Sequence, residues 1–532
     1  MKTVKAVKVL AVMAAAAVLL TGCRVISQKP KNILSKYSDD IAEAELAEYT
    51  ARDVEITQKD VSMKLEAEEC NLNGNLKVDD KTKGFSGKGY VTGFFGGKAD
   101  YLIFVADIPA SQHYDITVCA AAEKEANGSI SVNEKQIGNF VVEKDVKKFT
   151  KVTYYGVFMN EGMNSVKINK DAKNFDIDYI EIKNDTAIYA EPEELDAVPV
   201  SPNSSYEAKD LLRFIKENNG KNTITGQYAS NSKNTELDYI FAKTGRYPAI
   251  RFGDIGGYGE NDPPLEREIK AAEDWDAKGG IVGFMWYWRS PGKNPSVYAN
   301  ETDFKLEDAV TEEDISQIGI SELQEMCRKG KIAPETLALV EDIDAVAQGF
   351  DILAEEGIPI IWRPIHEGGG KWYWWGASGP DAYKWLYNLM FDRMTKYFGL
   401  DNLIWVWNGQ NDRYVVDEDK YDIAAMDIYL NEGSDYSSRS EQYQWLKKVT
   451  GGKKLLALSE CSAFPDIDDM RRDRAVWSFF GLWFGDYLEG VTGEGSKYFS
   501  ENELNKIYNA ENTITLDEYS MVYGGNTNVD IQ

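Results

Sequence analysis

A chain of 532 residues is too long for one ordinary domain, and a hydrophobic fraction of 43% excludes global disorder. The formal charge of −28 opposes binding to phosphate backbones or to an acidic polymer, so nucleic acid is excluded as a natural partner. A neutral polymer is not excluded. With 13 Trp and 30 Tyr, part of the aromatic surplus suits carbohydrate, whose apolar C–H faces stack on exposed rings.

Taken in chain order, residues 1–22 read as an export signal. Lys2, Lys5 and Lys8 precede the apolar run "VLAVMAAAAVLL", which is too short to span a bilayer comfortably. The run ends in "LTGC", which resembles a bacterial lipobox. That resemblance implies cleavage before Cys23, lipidation of its thiol and a membrane-anchored protein on the extracellular face of a bacterial cell envelope; the competing reading is a plain signal peptide. Residues 23–62 are polar and charged and read as a tether. Residues 63–184 carry short alternating runs such as "YLIFVADI", "GSISVNEKQI" and "FDIDYIEI" without an intervening helix, the pattern of an all-β sandwich. Cys70 and Cys119 could pair in an exported protein, but the four cysteines after Cys23 read by default as structural thiols. The acidic, proline-bearing residues 185–203 read as a linker.

From residue 204 to 532 strands alternate with helices. "NTITGQYA", "PAIRFGDIG", "GGIVGFMWYW", "GIPIIWRPI", "NLIWVWN", "AAMDIYL", "KKLLALSE" and "WSFFGLWF" supply eight strands, the count of an α/β (β/α)8 TIM barrel. In that fold catalytic groups stand at the C-terminal strand ends. The long stretch from Arg289 to Ala333 is predicted to fold over that face and shape a cleft.

The fourth strand ends in "RPIHEGGGKWYWWG", which places His366 and Glu367 at the barrel mouth. A zinc protease is excluded. HExxH needs a histidine at position 370, which is Gly, and the other of the two histidines, His113, lies in the sandwich. Alone, the His–Glu pair could equally be a structural hydrogen-bonded pair, and Glu460, after "LLALS" on the seventh strand, could be a rim salt bridge. Together they place two carboxyls across the mouth, where both can flank one bond of a substrate. That is the requirement for glycoside hydrolysis.

These stretches, with "MDIYL" and "LLALSEC", resemble glycoside hydrolase family 26, over Ser204 to Tyr523. The resemblance implies an endo-β-1,4-mannanase acting by retaining double displacement on mannan, glucomannan or galactomannan, with no catalytic cofactor. It implies Glu367 as acid/base and Glu460 as nucleophile. His366 would bond the sugar, Trp372 form a stacking wall and Trp483 a floor, and Tyr429, supported by Asp427, would hold the nucleophile. Arg363 reads as orienting the carboxylates, and Trp374 and Trp375 as packing. In a retaining site the carboxyls lie about 5–5.5 Å apart, so their repulsion raises one pKa; Glu367, beside indoles, is the candidate for the protonated group. One departure bears on substrate choice: Tyr287 stands where the family usually has a histidine lining a sugar subsite. The alternatives are a family 26 β-glucanase or β-1,3-xylanase, and a surface glycan-binding lipoprotein without activity.

In the sandwich, "LEAEECN", "GFSGKGYVTGF" and "FDIDYIEI" resemble carbohydrate-binding module family 35. That implies a structural calcium at Glu66, Glu68 and Asp178, and sugar contacts from loop residues Tyr90 and Asn174. The partners expected are thus plant cell-wall polysaccharide and, through Cys23, a membrane, for a monomeric chain.

Overall fold

The computed structural model describes residues 56–94, 100–142, 148–172, 174–190, 195, 198–257, 265–430, 435–490, 493 and 495–523. The expected signal, Cys23 and most of the tether lie outside the described residues. The chain divides into two compact units, Met1–Asn184 and Asp185–Gln532.

Among its described residues the first unit contains eleven strands: β1 (Ser62–Glu66), β2 (Asn71–Leu72), β3 (Lys77–Asp79), β4 (Tyr90–Thr92), β5 (Tyr101–Ile108), β6 (Gln112–Ala121), β7 (Ala126–Val132), β8 (Lys135–Val142), β9 (Thr150–Met159), β10 (Gly162–Ala172) and β11 (Asp176–Asn184). One sheet runs β3-β4-β11-β6-β9 with β1 paired to β11, and the other runs β2-β5-β10-β7-β8. Alternate residues such as Leu102, Phe104 and Ala106 of β5 are buried, so each sheet turns one face into a shared core. The first and last strands pair antiparallel, with Glu66 opposite Tyr179, which brings both ends of the unit together. Part of the expected tether belongs to this unit. Val61 is buried in its core, and Lys59 N donates to Gln112 Oε1 at 3.1 Å. The Cys70–Cys119 bridge is not formed: both are free thiols, as are Cys327 and Cys461.

The second unit is a closed barrel of parallel strands: β12 (Thr223–Tyr228), β13 (Ile250–Asp254), β14 (Ile281–Met285), β15 (Ile360–Arg363), β16 (Leu403–Trp407), β17 (Ile423–Ile428), β18 (Leu455–Cys461) and β19 (Phe479–Leu482). Strand β12 pairs with both β13 and β19, which closes the ring, and carries a short extra strand, β20 (Thr513–Ile514), beside it. Every residue of "LIWVW" in β16 is buried, as parallel strands covered on both faces require.

The helices are α1 (Tyr206–Asn218), α2 (Thr235–Thr244), α3 (Leu265–Asp276), α4 (Leu306–Ala309), α5 (Ile320–Arg328), α6 (Pro334–Glu355), α7 (Trp374–Ala377), α8 (Pro380–Asp392), α9 (Ser440–Val449), α10 (Ile467–Arg472), α11 (Glu501–Tyr508) and α12 (Leu516–Tyr523). Their ends are chemically marked. Ser205 caps α1 by accepting from Ala208 N at 3.1 Å, and Pro334 opens α6, where its missing N–H costs nothing. After β16 the alternation fails: two 3-10 turns, Asp412–Tyr414 and Glu418–Lys420, stand where a barrel helix is expected. The expected linker also does more than connect. Leu195 joins the barrel core, Val200 N donates to Asp422 at 2.7 Å, and Trp405 Nε1 donates to Ser201 Oγ at 3.1 Å. Proline and acidic residues signal irregular backbone, which can still pack.

Candidate active site

Strand β15 delivers its end residues to the barrel mouth and then leaves regular geometry. Ile365 and Glu367 have φ of 35° and 53°, in the left-handed region that a β-branched residue enters only under constraint. The constraint is a neighbouring loop. Glu367 N donates to Asn408 O at 2.7 Å and Gly369 N to Gly409 O at 2.8 Å, joining the segments after β15 and β16. The Arg289–Ala333 excursion closes on the same loop, since Ala299 N donates to Trp372 O at 2.8 Å and Trp374 N to Val297 O at 3.1 Å.

Strand β18 presents Glu460 through a register shift. Met426 of β17 faces Leu458, but Asp427 faces Glu460, leaving Ser459 as an extra residue. Successive strand residues ordinarily point to opposite faces, and an inserted residue breaks that rule. Both Ser459 and Glu460 therefore reach the mouth. Arg363, buried at the end of β15, donates Nη1 to Asp427 at 2.9 Å and Nη2 to Glu460. Asp427 also accepts from Asn408 Nδ2 at 2.9 Å and Ser459 Oγ at 2.6 Å. The Tyr429 hydroxyl donates to the other oxygen of Glu460 at 2.6 Å. Among the described residues no cation contacts Glu367. Trp372 Nε1 donates to its Oε2 at 3.1 Å, and Gln410 Nε2 lies 3.4 Å from its Oε1.

This asymmetry sets the electrostatics. Two buried carboxyls, Asp427 and Glu460, and the half-buried Glu367 face one guanidinium, so the set favours retention of a proton. Burial, then the charges of Asp427 and Glu460, push Glu367 well above the usual carboxylate range. Burial and Asp427 also raise Glu460, to about 7, while Arg363 and Tyr429 pull it back. Burial and Arg363 hold His366 well below its ordinary value, so its imidazole is neutral.

The aromatic groups divide by exposure. Trp372 is 40% exposed and free to meet a ligand. Trp374 and Trp375 are buried and bond backbone carbonyls of Trp288 and His366, each at 2.7 Å. His366 is enclosed by the rings of Tyr287, Tyr373 and Trp375, and neither of its nitrogens has a protein partner. The Tyr373 hydroxyl donates to that of Tyr287 at 3.4 Å. Trp483 packs against Tyr228, ring centroids 4.8 Å apart, and beside it opens a cleft lined in part by Asp254, Arg267, Met285 and Tyr287. Asn408, Ser459 and Gln410 escaped the sequence reading. Asn408 ends the apolar "LIWVW" run as Glu460 ends its own strand, a signal that could have been used; Gln410 carries none.

In the sandwich, Glu66, Glu68 and Asp178 all meet one turn. Ser86 Oγ donates to Glu66 at 2.7 Å, Ser86 N to Asp178 at 2.9 Å and Lys88 N to Glu68 at 2.6 Å. A Cβ at Gly87 would sit 2.2 Å from Glu68 Oε1 and 3.3 Å from Glu66 Cδ, so both carboxyls reach the same point. Glu68 Oε2 is buried without a partner. As arranged here, no three His, Cys, Asp or Glu side chains among the described residues stand close enough to hold one ion together. Tyr90 is not a loop residue. It lies on β4, 3% exposed, its hydroxyl donating to Thr82 Oγ1 at 3.0 Å and its ring against Phe149, which leaves nothing to offer a sugar. Asn174 does stand in the turn before β11, half-buried, with Oδ1 lacking a partner.

A half-buried and a buried glutamyl group at the ends of strands four and seven of a (β/α)8 barrel, one shielded by an indole and one gripped by arginine and tyrosine, define a glycoside hydrolase. Residues 200–518 match the sequence model of glycosyl hydrolase family 26, and the chain belongs to that family. Residues 63–185 match carbohydrate binding module (family 35). Mannan endo-1,4-beta-mannosidase A of Piromyces sp is 30% identical over 470 residues, covering 85% of this chain and 72% of that protein. The mannan endo-1,4-beta-mannosidase of Thermothelomyces thermophilus is 28% identical over 470 residues, 85% and 89% of the two chains. The crystal structure of the Podospora anserina GH26-CBM35 beta-(1,4)-mannanase is similar at a TM-score of 0.53 and 27% identity, covering 86% of this chain and 99% of that one.

Proposed function

We propose that the chain is an endo-acting, retaining β-1,4-mannanase that hydrolyses mannan, glucomannan or galactomannan. The observation that carries the chemistry is the unequal treatment of the two glutamyl groups: Glu460 touches Arg363 and Tyr429, while Glu367 meets only neutral donors. The names of the relatives support the substrate. Glu460 attacks the anomeric carbon as Glu367 gives its proton to the departing glycosidic oxygen, forming a glycosyl ester on Glu460. Water then attacks that carbon, Glu367 takes its proton, and Glu460 leaves as a carboxylate. While Glu460 is esterified, Arg363 stays paired with Asp427, so no buried guanidinium is left unbalanced. The neutral His366 bonds the sugar, Trp372 walls it and Trp483 floors it.

The sandwich holds the enzyme on polysaccharide, with Asn174 in the ligand site. Glu66, Glu68 and Asp178 would hold a calcium ion that ties both ends of the sandwich together, displacing Ser86 and Lys64 from Glu66. The convergence of three carboxyls on one turn and the unpartnered Glu68 oxygen support this assignment. The lysines, apolar run and Cys23 of the N-terminus support export and lipid anchoring at a bacterial surface.

Tyr287 favours one second reading, a family 26 enzyme of another β-glycan. Reducing-sugar release from galactomannan, glucomannan, barley β-glucan and β-1,3-xylan separates the two. Short manno-oligosaccharides from the mannans are expected. Cleavage of another polymer alone would keep the mechanism and reassign the substrate, and binding without cleavage of any would make the protein a glycan-capture lipoprotein.

A further inference from the structure

Gln410 belongs to no motif, yet its side chain reaches the candidate acid/base. It follows Asn408 and Gly409 on the loop that is hydrogen-bonded to the Glu367 segment. Its φ is 56°, a conformation that glycine and asparagine enter far more readily than glutamine. Nε2 donates to the Asp427 carbonyl oxygen at 2.7 Å and lies 3.4 Å from Glu367 Oε1. Its own Oε1 is buried without a partner.

The Asp427 carbonyl decides which way the carboxamide faces. A carbonyl only accepts, so turning the amide over would set two acceptor oxygens against each other. The nitrogen therefore faces the carbonyl, and Glu367 meets the second N–H. Such a donor stabilises a carboxylate more than a carboxylic acid. The charged and titratable groups around Glu367 are Asp427 and Glu460, which favour its neutral form, Arg363, which favours its anion, and the hydroxyls of Tyr373 and Tyr429. Among the described residues, two side-chain N–H donors contact it directly. Trp372 is one, on a ring 40% exposed; Gln410 is the other, fixed by a backbone carbonyl.

We propose that Gln410 is a positioning residue for the second half of the reaction, a donor locked by the Asp427 carbonyl that stabilises Glu367 as the anion that takes a proton from the attacking water. This rests on the acid/base role given to Glu367 above. The amide itself transfers no proton. It holds the charge that Glu367 acquires on protonating the leaving oxygen and loses again on deprotonating water.

The test is a 13C NMR titration of the Glu367 carboxyl in the full chain, assigned with Glu367→Gln. Two variants are compared with the parent. Gln410→Met keeps the length and loses the donor; Gln410→Asn tolerates the left-handed backbone but falls one methylene short of Glu367. Both are expected to raise the Glu367 midpoint by about one pH unit. On an activated aryl glycoside, where the second half limits turnover, kcat falls by about tenfold while kcat/KM changes much less. An unchanged midpoint in a variant with parental Tm, or equal losses in kcat and kcat/KM, would overturn the proposal. The titration needs no substrate, so a parent protein inactive on mannan would count against the substrate reading alone.

Discussion

Glu460 is held on both oxygens, by Arg363 and by Tyr429, and each contact favours the ionised form that a nucleophile needs. Glu460→Ala is expected to lower kcat on mannan by about 10⁴-fold, and Tyr429→Phe by about tenfold through loss of one hydrogen bond to a charge. In the proposed mechanism activity requires Glu460 without its proton and Glu367 with one. Both are raised by burial, Glu367 further, so the bell-shaped profile is expected to be displaced upward from the ordinary glutamate range. Its acidic limb belongs to Glu460, as activity is lost when that group protonates on falling pH; its alkaline limb belongs to Glu367, lost as pH rises. An acidic limb near pH 4 would contradict the burial argument. At this scale the glutamyl pair was legible because each glutamate follows an apolar run where a polar residue needs a reason, whereas Tyr429 was named only through the family resemblance. Tyr90, which the family 35 resemblance implied as a loop residue, lies instead in the core, where Thr82 satisfies its hydroxyl.

The eight barrel strands were readable as short apolar runs because parallel strands are buried on both faces. What lies between them was read less well. No helix follows β16, and the two 3-10 turns there release the Asn408–Asn411 segment to bond the Glu367 loop. The shift in β18 that exposes both Ser459 and Glu460 is likewise invisible in "LLALSEC", because a bulge is defined by its partner strand. The tight loop after β15 offers a direct check. A Cβ at position 376 would meet the Gly368 backbone oxygen at 2.1 Å, and neither atom sits on a flexible side chain. Gly376→Ala is expected to cost about 1–3 kcal/mol in thermal or chemical unfolding. It should also lower kcat by moving Glu367; unchanged kcat and Tm would show that the loop has slack.

At the scale of the whole molecule, the sandwich and the barrel bury separate cores and match separate families. Chelation by EGTA is expected to lower the Tm of the sandwich transition by several degrees, restored by calcium, while activity on soluble mannan stays within about twofold. An unmoved transition would remove the calcium assignment. The sequence by itself determined the two units, the strand order and the class of chemistry, and it marked two candidate carboxyls at strand ends, because burial period and strand-end polarity are local properties of a chain. The tertiary structure alone decided which donors surround each carboxyl, and hence the unequal electrostatics of the pair. Those contacts join residues as far apart as Arg363 and Glu460, and no local pattern records a hydrogen bond between distant strands. It also decided that Leu195, Val200 and Ser201 pack against the barrel and that Tyr90 is core, since composition reports how a backbone bends but not what it lies against.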